Sequence, residues 1–166
     1  MDVIHDYSFA AEYFYAADAD NASLTIVSGP QDTGFDAVDA KGVDPVMALG
    51  HLVAFIRGSP WSRETVKTRL LFPPPKTKPT SQDAYDSLPE NSPWRAGPWL
   101  EELDVETRDT LASVDDARLP ELVARWEKIE ALSEFDDPSS LLPLLEELVD
   151  LARKARKANA QLYCWS

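Results

Sequence analysis

His5 and His51 are the only side chains in this 166-residue chain that could act as near-neutral acid–base groups. The carboxylates that could work with them concentrate elsewhere, in the run Glu101-Glu102-x-Asp104-x-Glu106 that continues through Asp109, Asp115 and Asp116. A His with two carboxylates in one cleft would make a small hydrolase, and two carboxyl groups facing each other would do glycosidase-type acid–base work. As a surface, the same run would steer a basic partner, because clustered like charge raises encounter rates and favours cationic protein faces. As plain structure, it would be a solvated face whose carboxylates cap helix N-termini.

No established template decides between these readings. The chain has no glycine-rich phosphate loop, no G-x-S-x-G elbow, no H-E-x-x-H pair and no C-x-x-C. His5-Asp6 has the residue types of a metal-ligand dipeptide but lacks evident partners. Asp32, Asp36, Asp39 and Asp44 do not have the spacing of a calcium loop, which needs alternating ligands, a central Gly and a terminal Glu, and they read as turn and cap residues. No catalytic, metal or cofactor residue is assigned. The single Cys164 lies between Tyr163 and Trp165 with no adjacent base to stabilise a thiolate, so it reads as a buried structural thiol.

Charge narrows the field further. The chain carries 29 Asp and Glu against 16 Lys and Arg, a formal net charge of −13. Residues 57–78 go against this trend: Arg57, Arg63, Lys67, Arg69, Lys76 and Lys78 face only Glu64, for a local charge of about +5. These six cations with Trp61 and Phe72 resemble a nucleic-acid footprint, but the rest of the chain, at about −18, repels phosphate across the Debye length. Nucleic acid is therefore not the expected partner. No apolar run reaches the length of a membrane span, the start has no signal-peptide pattern, and a lone cysteine suits a reducing compartment, so a cytoplasmic location without a membrane partner is expected.

Five Trp, six Phe and five Tyr give the chain enough apolar bulk for one core. Ser8 to Tyr15 suits a strand by its aromatics and a helix by its alanines. Leu24–Val27 and Phe35 through Val38 to Gly42 are short candidate strands. Asp44-Pro45 opens a helix in which Val46, Leu49, Leu52, Val53 and Ile56 share a face before Gly58. Trp61 to Phe72 is compatible with a helix opened at Ser62 or with an extended chain. Asp104 can cap a helix running to Val114. Asp115 or Asp116 begins another with Leu119, Leu122, Val123, Trp126, Ile129 and Leu132 in one stripe. Asp137-Pro138 opens the longest helix, whose charges run from Glu146, Glu147 and Asp150 to Arg153, Lys154, Arg156 and Lys157, the order that complements the helix dipole. Asn159 then caps it, and Gln161–Trp165 reads as a closing strand.

Between these halves, residues 73–98 carry seven prolines with Ser, Thr, Lys and Asp, which predicts a long extended loop. Ser92-Pro93-Trp94 and Gly97-Pro98-Trp99 place two indoles at its end, either to pin the loop to the core or to bind a partner.

Two stretches carry a resemblance. Phe35-Asp36-Ala37-Val38-Asp39-Ala40-Lys41-Gly42-Val43-Asp44-Pro45 leading into Ala48-Leu49-Gly50-His51-Leu52, together with Leu162-Tyr163-Cys164-Trp165, resembles a group of small acidic uncharacterised actinobacterial proteins. The order of two amphipathic helices and a closing strand over residues 104–165 is similar to the YfbM-like family of cytoplasmic α+β proteins. These resemblances imply a single bacterial α+β domain and bring no site residues with them.

The expected fold is a single α+β domain over residues 1–166, with four to five helices packed on a small, mostly antiparallel sheet. The expected function is an acidic binding protein that occupies the basic face of a protein partner, as immunity proteins and antitoxins do. Its binding residues would be Glu101, Glu102, Asp104, Glu106 and Asp109, with Trp94 or Trp99 as the apolar anchor. The alternatives are a small hydrolase using carboxylates with His5 or His51, and an orphan domain whose charge serves solubility.

Overall fold

The structure is a computed structural model and describes residues 10–133, 135 and 137–166. Five short segments form strands among the described residues: β1 (Glu12–Ala16), β2 (Ala37–Asp39), β3 (Thr68–Phe72), β4 (Leu100–Leu103) and β5 (Gln161–Trp165). They pair antiparallel throughout, in the order β2-β1-β5-β4-β3. The strand expected to close the chain is thus the central one, with Cys164 opposite Tyr13 on one side and Glu101 on the other. Its freedom from charge fits that place, because a charge on a strand covered on both faces would be buried without water. The edge strands instead carry Asp39 and Arg69, which discourage further pairing.

The two-residue period of the strands divides the core. Tyr13, Val38, Leu103, Leu162 and Cys164 point to one face, and Phe14, Ala16, Leu100 and Tyr163 to the other. Seven helices occur among the described residues: α1 (Ala19–Ala22), α2 (Ala48–Arg57), α3 (Gln82–Asp86), α4 (Pro93–Ala96), α5 (Val105–Ala112), α6 (Leu119–Trp126) and α7 (Leu141–Lys157). The four of eight residues or more contribute the apolar stripes that cover the first face. The second face has a thinner cover in which Ala22, Ile26 and Phe35 pack on Phe14 and Tyr163. The result is a single α+β domain.

Local chemistry explains most helix ends. The Asp44 carboxylate accepts from the Met47 and Ala48 amides at 2.8 and 3.0 Å and so caps the entry to α2. Gly58 ends that helix in the left-handed region. Gly50 inside α2 has a packing reason, since a Cβ there would lie 2.7 Å from Trp61 Nε1, which donates to the Val46 carbonyl. Asn159, at φ 54, takes the left-handed position after α7.

Three expectations need correction. Leu24–Val27 lies in a 3-10 segment that runs on into a turn, because α1 is capped by Asp18 and the chain continues to coil; Val27 is left 89% exposed. The apolar stripe from Leu119 does not lie on one helix: α6 stops at Trp126, Ile129 is extended, and Leu132 reaches the core from a separate 3-10 turn at Glu130–Leu132. Residues 73–98 are not an extended loop. They fold into a 3-10 turn at Pro75–Thr77 and the short helices α3 and α4. Prolines break helix interiors, but Pro75 and Pro93 occupy first-turn positions where no amide donor is required, and Ser81 and Ser92 cap α3 and α4.

Candidate partner-binding surface

The acidic run does not form one face, because it spans a strand and a helix. Glu101 and Glu102 are consecutive on β4 and therefore point to opposite sides of the sheet. Glu102 is on the second face, where Arg69 donates from Nε and Nη2 to its Oε1 at 3.2 and 3.0 Å and the Tyr163 hydroxyl donates to its Oε2 at 2.9 Å. Burial, reinforced by this hydrogen bond to a carboxylate, holds the Tyr163 hydroxyl above its ordinary ionisation range. Glu101 is on the helix-covered face, half-buried, in register with Leu70 and Cys164. Burial, and then the charge of Glu101, push the Cys164 thiol well up, which makes it an inert core group.

Asp104 serves the fold. Its side chain accepts from the Thr107 amide at 3.3 Å, from the Thr107 hydroxyl at 2.6 Å and from the Lys67 amide at 3.0 Å, so it caps α5 and ties that helix to the segment entering β3. Asp109 binds the guanidinium of Arg108 at 2.9 Å, and Arg108, itself buried, also donates to the Ala160 carbonyl ahead of β5. Glu106, in the first turn of α5, is exposed, and its carboxylate makes no hydrogen bond or ion pair among the described residues. Sequence reasoning missed Arg108 as the residue that fixes Asp109. A lone arginine on a short polar helix gives no sign that a strand end will need its guanidinium.

Trp94 and Trp99 are half-exposed, and their rings meet edge to face at 5.4 Å. Trp94 Nε1 donates to Thr77 Oγ1 at 3.0 Å, which pins α4 to the preceding turn. With Leu70, Pro79 and Tyr85 they line an open groove of about 510 Å³ beside β3 and β4, so both expected roles, pinning and exposure to a partner, meet in the same pair of side chains.

The imidazole of His51 stacks on Trp61 at 4.7 Å, nearly parallel, and its Nδ1 lies 2.7 Å from the Met47 carbonyl. That geometry makes it a packing group with one nitrogen committed to the backbone. His5 lies outside the described residues. Asp32, Asp36, Asp39 and Asp44 are dispersed: Asp44 is a cap, Asp39 accepts from the Lys41 amide, and Asp36 lies near Lys154 and Tyr15. Among the described residues no three His, Cys, Asp or Glu gather as metal ligands, and no helix is long and apolar enough to cross a membrane.

The basic segment is likewise divided. Arg57 donates to Thr110 Oγ1 and the Thr65 carbonyl, Arg69 holds Glu102, and Lys78 lines the aromatic groove. The cations at the end of α7 support the fold: Arg153 reaches Ala112, Val114 and Asp116, Lys154 reaches Asp150, and Arg156 reaches Ser113.

Glu12, on β1, is half-buried, and burial followed by repulsion from Asp39 and Asp32 raises its pKa above the ordinary 4.5. A raised folded value means that the native state favours the protonated acid, so stability falls as pH rises through the window above 4.5. Glu12→Gln is expected to raise the melting temperature at pH 7, with the gain fading as the pH is lowered through that window. Melting curves of the two proteins at pH 7 and below pH 4.5 check this, and a gain of the same size in both conditions would contradict it. Compared with known proteins, the chain matches no protein-family model, no curated protein and no solved structure.

Proposed function

We propose that this protein is a non-enzymatic binding protein of the cytoplasm whose acidic surface occupies the basic face of a protein partner, in the manner of immunity proteins and antitoxins. The observation that carries this reading is the charge left over after folding. The side chains of Glu106, Glu127, Glu130, Glu146 and Glu147 are all exposed around the helical layer, and their carboxylates make no hydrogen bond or ion pair among the described residues. Carboxylates that stabilise nothing inside the domain are available to steer a cationic surface. On β4 and α5, Glu106 supplies the accessible charge, Glu101 and Asp109 flank it, and Glu102 and Asp104 hold the scaffold. Trp94 or Trp99 serves as the apolar anchor.

The test is retention of native cytoplasmic proteins on the tagged chain at low and moderate salt, followed by binding measurements with the purified partner. One basic protein should be retained near stoichiometrically, and its association rate should fall with salt and with Glu106→Lys combined with Glu147→Lys. A partner whose association is indifferent to both would overturn the electrostatic reading, as would failure to retain any basic protein.

A further inference from the structure

We propose that the groove between Trp94, Trp99 and Tyr85 is a binding site for a small planar aromatic anion, with Lys78 as the counter-charge. The chain is strongly acidic, yet Lys78 is the only ionisable lining residue of this groove apart from the Tyr85 phenol. Lys78 is exposed and makes no ion pair among the described residues. An apolar groove with a cationic rim in an anionic protein selects against the cations that the rest of the surface attracts.

The walls are built in advance of any ligand. The Trp94 indole is fixed by its bond to Thr77 Oγ1 and by the edge-to-face contact with Trp99. Trp99 is held by paired backbone bonds with Ser166, its amide donating at 2.6 Å and its carbonyl accepting at 2.8 Å. The Tyr85 ring carries the Arg95 guanidinium 4.9 Å from its centroid, and Arg95 is anchored by donating to the Tyr85 and Asp86 carbonyls at 2.9 Å each. Neither acid of α3, Asp83 or Asp86, lines the groove, and Asp86 accepts from Gln82 Nε2 at 2.9 Å. Three aromatic rings that line the groove are therefore held in place, and little ordering entropy remains to be lost on binding. A volume of about 510 Å³ suits a ligand of two or three rings. Thr80, Ser81 and Gln82 supply polar atoms at its border.

This inference does not rest on the protein-partner reading, and it is tested on the isolated full chain. The probes are 8-anilinonaphthalene-1-sulfonate and N-phenyl-1-naphthylamine, which share one ring skeleton and differ by the sulfonate. Titration followed by probe fluorescence and by energy transfer from tryptophan should show the sulfonate binding about fivefold more tightly, the size expected for one exposed ion pair. Lys78→Gln, an exposed substitution, should abolish that preference and leave the neutral probe unaffected. Trp94→Ala, with its melting curve recorded to confirm folding, should weaken both probes about tenfold through lost stacking. Equal affinities for the two probes, a preference that survives Lys78→Gln, or affinities unchanged by Trp94→Ala would each overturn the assignment.

Discussion

Replacing Trp126 by alanine is expected to cost about 4 kcal/mol of folding stability, the largest effect of any single truncation in this domain. Trp126 is the largest fully buried side chain and closes α6 over α2 in the main core. Its Nε1 donates to the Ala48 carbonyl at 2.9 Å, so the ring both fills volume and joins two helices distant in sequence. Domains of this kind have about 5–15 kcal/mol in total, so the variant would be marginal, with a melting temperature lower by on the order of 10 °C. Trp126→Phe keeps part of the apolar surface and loses the donor, and should cost about half as much. Urea titrations with unchanged slope would measure both. A Trp126→Ala loss below about 1.5 kcal/mol would mean that α6 does not pack as described.

The second large effect is expected at a residue whose charge first suggested binding. Asp104→Ala removes the cap of α5 and leaves the fully buried Thr107 hydroxyl and the Lys67 amide without their acceptor. Loss of a cap costs about 0.5–2 kcal/mol and an orphaned buried donor about 1–3, so a combined loss of about 3 kcal/mol is expected. Asp104→Asn keeps one acceptor oxygen, enough for the Thr107 amide or for the Thr107 hydroxyl and Lys67 amide but not for both sets, and should restore part of it. Glu106→Gln, two residues away, should leave the unfolding midpoint unchanged, because that carboxylate touches nothing inside the domain. Chemical denaturation of the three variants separates an acid that holds the scaffold from one that is available to a partner. Equal losses for Asp104→Ala and Asp104→Asn would show that a single acceptor oxygen holds nothing there and that the site needs both oxygens of the carboxylate.

Features written into neighbouring residues were legible in the sequence. The apolar stripe and graded charge of α7, the Asp104 cap, the turn at Gly58, the left-handed Asn159 and the strand Gln161–Trp165 all depend on contacts within a few positions, so propensity and spacing suffice. The α+β class followed from them. Strand β4 was hidden because Leu100-Glu101-Glu102-Leu103 reads as an acidic run until β3 and β5 pair with it on either side. Once they do, Glu101 and Glu102 must part to opposite faces, and only one of them can meet Arg69 and Tyr163.

The sequence by itself determined the class of fold, the helix caps, the negative charge and the residue types available for a site. Only the tertiary structure decided which carboxylates are committed to Arg69, Arg108, Thr107 or Tyr163, which remain available, and that two indoles, a tyrosine and a lysine share one groove. The physical reason is that capping and periodicity act over a few residues, whereas a side chain's partners come from strands and turns tens of residues away, brought together only when the sheet closes.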